Sequence, residues 1–310
     1  MRKMFRLAAV TILSAFTLSA AADASETAAF LKIGVGARAV GMGGAYTAVA
    51  NDASAMTWNP AGLGSVSRRE LGVSDAELGN NTRLAFVGLA QPGKLGTFGV
   101  GLLRLTQGAI ESRDASGRLD GSITAADTAV NLSYGAPISA GTRLGASIRF
   151  IQSQIAEVSA QSFAIDVGGM RELNGPGPGV PLVAAAIQNL GPGMRFLDET
   201  SQLPLTAALG LGYRLPAGLM LALDYRHHPY SHSSELAAGT EYAVLSSFVL
   251  RAGYAGRQAT GRTLKTRDTF ALNGVALGFG VRFHGNSVDY SASPFGEFGN
   301  VQRFSLSARF

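Results

Sequence analysis

The chain has 310 residues, of which 26 are basic, 21 acidic, 40 glycine and none cysteine, and its net charge is +5. So mild a balance argues against a nucleic-acid partner, and the lack of cysteine excludes thiol catalysis, Cys-ligated metals and a disulfide-stapled fold. Mean hydropathy is positive at +0.18, yet after residue 24 no apolar run reaches the roughly 18 residues that a spanning helix needs.

In chain order, residues 1–24 read first as a cleaved export signal. Arg2, Lys3 and Arg6 precede the apolar stretch from Leu7 to Ala22, and Ala22-Asp23-Ala24 fits an A-x-A cleavage site ahead of Ser25. Three basic residues and one acidic residue leave with it, lowering the net charge by two. About 286 residues remain, which one barrel domain accommodates.

Residues 25–68 do not alternate. Phe30 to Leu63 is rich in Gly and Ala and carries Gly41, Gly43, Gly44, an Asn51-Asp52 turn, the single tryptophan Trp58 and Asn59-Pro60-Ala61. Glycine allows close backbone packing and positive φ. Asn59-Pro60 predicts an extended residue and then a turn into the first strand. This block is expected to sit in a barrel mouth as a plug, or hatch. Gly34 to Ala39 also fits a G-x-G-x-x-[GA] dinucleotide fingerprint, but no hydrophobic strand precedes it, Asp52 ends no second strand and no βαβ pattern follows.

From Arg69 to the end the chain alternates with period 2. In Leu205 to Leu215 every odd position is apolar and the even ones are Thr206, Ala208, Gly210, Gly212 and Arg214. The pattern recurs in Leu144 to Phe150, Leu219 to Tyr225, Phe248 to Tyr254 and Val275 to Phe283. About fourteen segments result, each near the 9–11 residues of a tilted membrane strand. They are predicted to begin near Arg69, Thr82, Leu95, Ala126, Gly141, Gln161, Val180, Pro204, Gly218, Glu235, Ser247, Val275, Asn286 and Gln302. A periplasmic β-sandwich would also alternate. The lack of charge on one face of so many strands argues against it, since sandwich edges normally carry protecting Lys or Pro.

The connections alternate in length, as outer-membrane barrels require. Pro92-Gly93-Lys94, Pro137 to Ala140, Pro216-Ala217 and the join near Gly285 are tight; Gln107 to Ala125, Gly191 to Leu203 and Arg257 to Gly274 are long. Asn174 to Gly179 is longer than its place in the pattern predicts. The expected fold is therefore an all-β transmembrane antiparallel barrel over 69–310 with an N-terminal hatch, integral to the cell outer membrane and bathed in its lipid.

If apolar faces meet lipid, the lumen receives Arg143, Arg149, Arg214, Arg226, Arg251, Arg282, Arg303 and Arg309, with Asp166 and Asp224 as acidic counterparts. Such a lining either attracts an anionic ligand through guanidinium forks or forms an internal salt-bridge network that clamps the hatch, with Asp52 as a contributor. His227, His228 and His232 fall in a predicted outer loop without metal-ligand spacing. No Ser-His-Asp set, HExxH or P-loop occurs, so neither catalysis nor a cofactor is expected.

The N-terminal block Gly36-Ala37-Arg38-Ala39-Val40-Gly41-Met42-Gly43-Gly44-Ala45, followed by Asn51-Asp52-Ala53-Ser54 and Trp58-Asn59-Pro60-Ala61-Gly62-Leu63, resembles the start of the PorV/PorQ family, within the FadL-like outer-membrane proteins. The alternating strands and the terminal Phe310 extend that likeness more loosely. The resemblance implies one of two activities. A PorV-like protein serves type IX secretion, with secreted proteins bearing C-terminal signal domains, or other secretion components, as partners. A FadL-like protein is a hatch-gated channel for hydrophobic molecules such as long-chain fatty acids, and its hatch contains an element similar to Asn59-Pro60-Ala61. The longest predicted loop is about twenty residues, short for an outer groove that binds greasy ligands, which favours secretion.

Overall fold

A computed structural model of the chain describes residues 26–113, 116–175, 177–259, 274–294 and 300–310. The expected export signal lies outside the described residues, as does most of the expected Arg257 to Gly274 loop.

Sixteen strands are described: β1 (Glu70–Glu77), β2 (Thr82–Pro92), β3 (Thr97–Arg113), β4 (Leu119–Ser139), β5 (Thr142–Ile155), β6 (Val158–Glu172), β7 (Val180–Leu190), β8 (Met194–Phe196), β9 (Glu199–Ser201), β10 (Thr206–Arg214), β11 (Leu219–His228), β12 (Ser233–Leu245), β13 (Phe248–Ala259), β14 (Val275–Phe283), β15 (Asn286–Pro294) and β16 (Asn300–Arg309). All but β8 and β9 close into one antiparallel barrel of fourteen strands, each beside its chain neighbour. The seam is β1 against β16, registered from Glu70↔Arg309 to Glu77↔Gln302. Closure removes both sheet edges, so no backbone group need meet hydrocarbon unpaired.

Alternation assigns the faces. Leu209 and Leu211 on β10 point outward and are more than half exposed, while Ala208, Gly210 and Gly212 between them point inward and are buried. Phe98, Val100, Leu132, Ile148, Phe150, Leu250, Phe304 and Leu306 continue an apolar outer surface around the wall. A water-soluble protein does not carry so large an exposed apolar face; a lipid-embedded barrel requires one. Phe248, Phe279, Tyr290 and Phe304 form an outward cross-strand ladder, with ring centroids 6.3, 5.4 and 5.0 Å apart along it.

The strand starts agree with the sequence reading to within three residues except for β4, which begins at Leu119 rather than near Ala126. The reason is visible in the pairing. The expected loop from Gln107 to Ala125 is mostly a hairpin in which β3 and β4 continue past the wall, Ile110↔Ile123 and Ser112↔Gly121 among the pairs, after a register shift at Gln107. Above the apolar belt a strand has no lipid side to keep greasy, so its alternation vanishes. The expected Gly191 to Leu203 loop likewise contains β8 and β9, paired from Met194↔Ser201 to Phe196↔Glu199. Met194 and Leu203 are fully buried, and Ser162 Oγ on β6 donates to the Pro192 carbonyl at 2.8 Å, so this hairpin folds in over the barrel mouth.

Candidate functional site: a hatch between two chambers

Most of residues 26–66 are buried inside the barrel, and the exposed Ser67, Arg68 and Arg69 lead into β1. The elements of the buried part are a 3-10 turn (Ala29–Lys32), α1 (Ala37–Gly41), α2 (Ala55–Trp58) and a second 3-10 turn (Pro60–Ser65). Helices of four or five residues have no stability of their own; the wall supplies it. Met42, Tyr46, Met56 and Leu63 are fully buried.

What receives them is a set of inward-facing wall glycines. A Cβ at Gly135 or Gly145 would lie within 3.0 Å of the Pro60 backbone, one at Gly168 would strike the Asn59 side chain, one at Gly210 would meet Thr47 and Ala48, and those at Gly239 and Gly253 would enter the Met42–Gly43 peptide. Gly101 leaves room for Met56. Hatch backbone therefore touches wall backbone through gaps that admit no side chain. Gly43, at φ 65°, makes its turn directly against Tyr254, a conformation and approach that together demand glycine.

Polar anchors fix the seat. Asp224, buried on β11, accepts from the backbone N–H groups of Tyr46 (2.9 Å) and Thr47 (2.8 Å). Asn59 is fully buried: its Nδ2 donates to the Thr47 carbonyl at 3.0 Å, and its Oδ1 accepts from Ala61 N–H at 3.1 Å, capping the turn that Pro60 opens. Gln188 Nε2 donates to the carbonyls of Thr57 and Trp58 at 2.8 and 2.7 Å. It points inward by ordinary alternation, opposite the buried Thr206, and the next residue, Asn189, is turned inward as well, at φ 61°, because β7 bulges there, Ile165↔Leu190 being followed by Val167↔Ile187. Bulges in a wall commonly re-aim a side chain in this way.

Below the hatch, at the short-turn end, lies an ionic chamber of about 450 Å³. Arg38 of α1 reaches across to Glu241 on β12 with Nε at 2.7 Å and Nη2 at 3.1 Å. Glu241 also takes Arg251 Nε at 2.8 Å and Arg282 Nη2 at 3.4 Å, and Arg251 pairs further with Asp289 at 2.7 Å. The other edge of Arg38 donates to Asn51 (2.5 Å) and Tyr46 Oη (3.1 Å), and Tyr46 in turn donates to Asp52 at 2.5 Å. Burial works against the Arg38 charge, but Glu241, Tyr46 and Asp52 outweigh it and hold its pKa well above the ordinary arginine value. Burial pushes the Tyr46 phenol well up, against the pull of Arg38.

Above the hatch, at the loop end, is a larger chamber of about 980 Å³. Phe30, Leu31, Ile33, Val40, Trp58, Leu103 and Leu105 line it, with Arg149, Gln188, Thr206, Arg226, His228 and Arg303 as polar members. Trp58 forms part of its floor. Its indole N–H donates to the Val35 carbonyl at 2.9 Å, its ring meets Tyr46 edge-on at 5.9 Å, and Arg226 lies over it at 5.4 Å.

The structure places the residues selected from sequence as follows. Gly41 packs on Gly278, Gly43 on Gly253 and Tyr254, and Gly44 on Arg226 and Trp58. Asn51 and Asp52 join the Arg38 network, Pro60 meets the wall glycines, and Ala61 is buried. The lumen arginines are mostly partnered: Arg143 and Arg214 with Glu172, Arg149 with the buried Asp166, Arg226 with Glu235, Arg251 and Arg282 with Glu241, and Arg309 with Glu70. These pairs run from wall to wall, and the hatch joins them through Arg38, which pairs with Glu241 on the wall and with Asp52 of the hatch itself. Sequence reasoning missed Arg38, Tyr46, Glu70, Glu241 and Asp289. The signal for Glu241 was its parity, an acid on the inward side of a period-2 strand. The histidines call for a correction: His227 and His228 are strand residues on β11, not loop residues. Their neighbours in the sequence alternate, so one faces out toward Ser234 and the other in toward Thr206 at 3.0 Å. Among the described residues no acid, histidine or cysteine cluster could hold a metal.

The closed fourteen-strand antiparallel wall is a fold that solved structures share. The chain is similar in structure to the CymD monoaromatic hydrocarbon channel (TM-score 0.66, 15% identity, 89% of this chain and 98% of that one). It is similar also to the Ralstonia pickettii toluene transporter TbuX (0.63, 13%, 89% and 98%) and to a Pseudomonas aeruginosa FadL homologue (0.58, 14%, 89% and 98%). No family model and no curated protein sequence matches the chain.

Proposed function

We propose that this chain is a hatch-gated outer-membrane channel of FadL type for hydrophobic small molecules. One observation carries the reading: the loop-end chamber of about 980 Å³, greasy on its Phe30–Val35 and Leu103–Leu105 sides and floored by the hatch at Trp58. Loop ends of such barrels face the exterior, so this is the chamber that a ligand from outside would enter. The proteins with the same architecture include channels named for toluene and monoaromatic hydrocarbons, which supports transport over secretion.

The secretion reading rested on short loops, and that discriminator loses its force. Much of the residue stretch counted as loop forms the β3–β4 extension and the β8–β9 hairpin, and the upper chamber is lined by hatch and wall residues, so it needs no long loops. The reading assigns the chain passage of a ligand and no catalysis. Cells lacking the protein should take up a labelled toluene or long-chain fatty acid more slowly, with secretion of proteins bearing C-terminal signal domains unchanged. Normal uptake with failed secretion would reverse the conclusion.

A further inference from the structure

Two arginines stand at opposite ends of the lipid face of the β1–β2 pair. Arg83, at the loop end, is met by Asp75 at 2.5 Å. Arg69, at the short-turn end, has no such acid: its Nε donates to the Gln91 side chain, and its guanidinium lies over the Phe310 ring at 5.5 Å. The seam sets this position. Glu70, registered with Arg309 and Ala90, is buried and faces the lumen, and the Phe310 N–H donates to the Arg69 carbonyl at 3.0 Å, so the neighbouring Arg69, Phe310 and Gln91 face outward. The outward row continues through Gln91↔Phe98 and Phe98↔Tyr134, whose ring centroids are 4.8 Å apart. Just below it the β2–β3 turn carries the exposed Lys94 and Leu95, and the Tyr134 hydroxyl donates to the Leu95 carbonyl at 3.0 Å.

Arg68, Arg69 and Lys94 form no ion pair among the described residues, and the nearby acid Glu70 is taken on the lumen side by Arg309 and Ser307. Beside these three cations Leu95, Phe98 and Phe310 are 83%, 62% and 65% exposed. Short turns of such barrels lie on the periplasmic side, which puts this corner at the headgroup level of the inner leaflet. Cations held there without a protein acid attract anionic headgroups, and the Nη1–Nη2 end of Arg69 is left to grip phosphate oxygens.

We propose that this corner of the seam binds an anionic phospholipid of the inner leaflet. Its phosphodiester lies between Arg69 and Lys94, and its acyl chains run up the wall over Phe98 and Phe310. A headgroup of net negative charge is preferred to a zwitterionic one, whose ammonium would meet three cations and no acid. A soluble acidic peptide fits less well, because the row faces sideways into hydrocarbon. The site lies outside the barrel and does not depend on what the lumen carries.

Native mass spectrometry reads this directly, using the full-length protein in detergent micelles doped with equal amounts of dioleoyl-phosphatidylglycerol and dioleoyl-phosphatidylethanolamine. The unmodified protein should retain phosphatidylglycerol over phosphatidylethanolamine by at least about fivefold, the scale of one cation beside an anionic headgroup. The double variant Arg69→Gln/Lys94→Gln should retain the two lipids equally, whereas Arg83→Gln, at the other end of the same face, should keep the preference. Heat-modifiable migration verifies that each variant barrel is folded. Equal retention in the unmodified protein would overturn the proposal without reference to any variant; so would a preference that survives in the folded double variant. A preference lost to the same extent in Arg83→Gln would trace it to the charge of the whole barrel and overturn the site. Displacement of the lipid by equimolar glycerophosphoglycerol or hexaglutamate would assign the corner to a soluble anion or an acidic partner, and the lipid would be ruled out.

Discussion

Glu241→Gln tests whether the ionic layer holds the hatch. The substitution keeps size and one carbonyl oxygen but removes the charge on which Arg38, Arg251 and Arg282 converge. Arg251 retains Asp289 at 2.7 Å, so the loss falls mainly on the link from Arg38 to the wall. Removing one partner of a well-buried pair costs about 3–5 kcal/mol. Here the Arg38 and Glu241 side chains keep 17% and 10% exposure and border the lower chamber, so about 2 kcal/mol is the fitting scale. At 1.36 kcal/mol per factor of ten, that raises the population with a displaced hatch by about 30-fold. Planar-bilayer recording reads this as open probability. Arg38→Gln should give a similar rise, and the double variant little more than either alone, because both singles break one interaction. Unchanged open probability in a folded Glu241→Gln barrel, or full additivity in the double variant, would refute the latch.

Other consequences are checkable at the seat of the hatch. Gly210→Val places a side chain where Thr47 and Ala48 now touch the wall; overpacking of this kind costs about 1–3 kcal/mol and should expose hatch residues to added protease while the barrel keeps its heat-modifiable migration. Asp224→Ala strands the buried N–H groups of Tyr46 and Thr47, at about 1–3 kcal/mol each, and should lower the thermal midpoint more than Asp224→Asn. Tyr46 supplies a pH signature. Its phenol is raised in the folded hatch, so its contribution is full below the unfolded value of about 10 and decays as pH climbs through the folded one. Hatch-dependent protease protection should therefore fall above about pH 10 in the unmodified protein, and Tyr46→Phe should remove that pH step.

The wall was legible because its rule is local. A strand between lipid and lumen must alternate, and Leu209-Gly210-Leu211-Gly212-Tyr213 shows both requirements in five residues. Where the lipid ends the rule ends, which is why β4 was placed seven residues late and the β8–β9 hairpin was read as loop. The hatch was legible as a break in alternation, but its mode of attachment was not. Gly145, Gly168, Gly210 and Gly253 look like any small inward residue in the sequence; their meaning depends on which hatch atom arrives opposite, a matter of distant pairing. Arg38 stood inside the motif that carried the family resemblance, yet its partner is 203 residues away. Charge complementarity across such a distance cannot be read without the register of every strand between.

The two chambers oppose each other chemically, and the opposition constrains how the hatch can work. An apolar molecule moved from the upper chamber against the Arg38–Glu241–Arg251 layer loses about 25 cal/mol for each Å² of apolar contact it gives up; for about 100 Å² this is about 2.5 kcal/mol, comparable with the latch itself. Axial passage past an undisturbed ionic layer is therefore disfavoured on the same scale that keeps the hatch shut. A ligand that crosses must part Arg38 from Glu241 and displace α1, the helix that carries this arginine and ends at Gly41 against Gly278. Ligand affinity in the upper chamber and the state of Glu241 are then linked: if binding favours the displaced hatch, Glu241→Gln must tighten that binding in proportion to the open population it creates. Measuring ligand titrations by Trp58 emission and open probability on the same variant tests this reciprocity, and a variant that opens more often without any change in affinity would show that chamber and latch are separate devices.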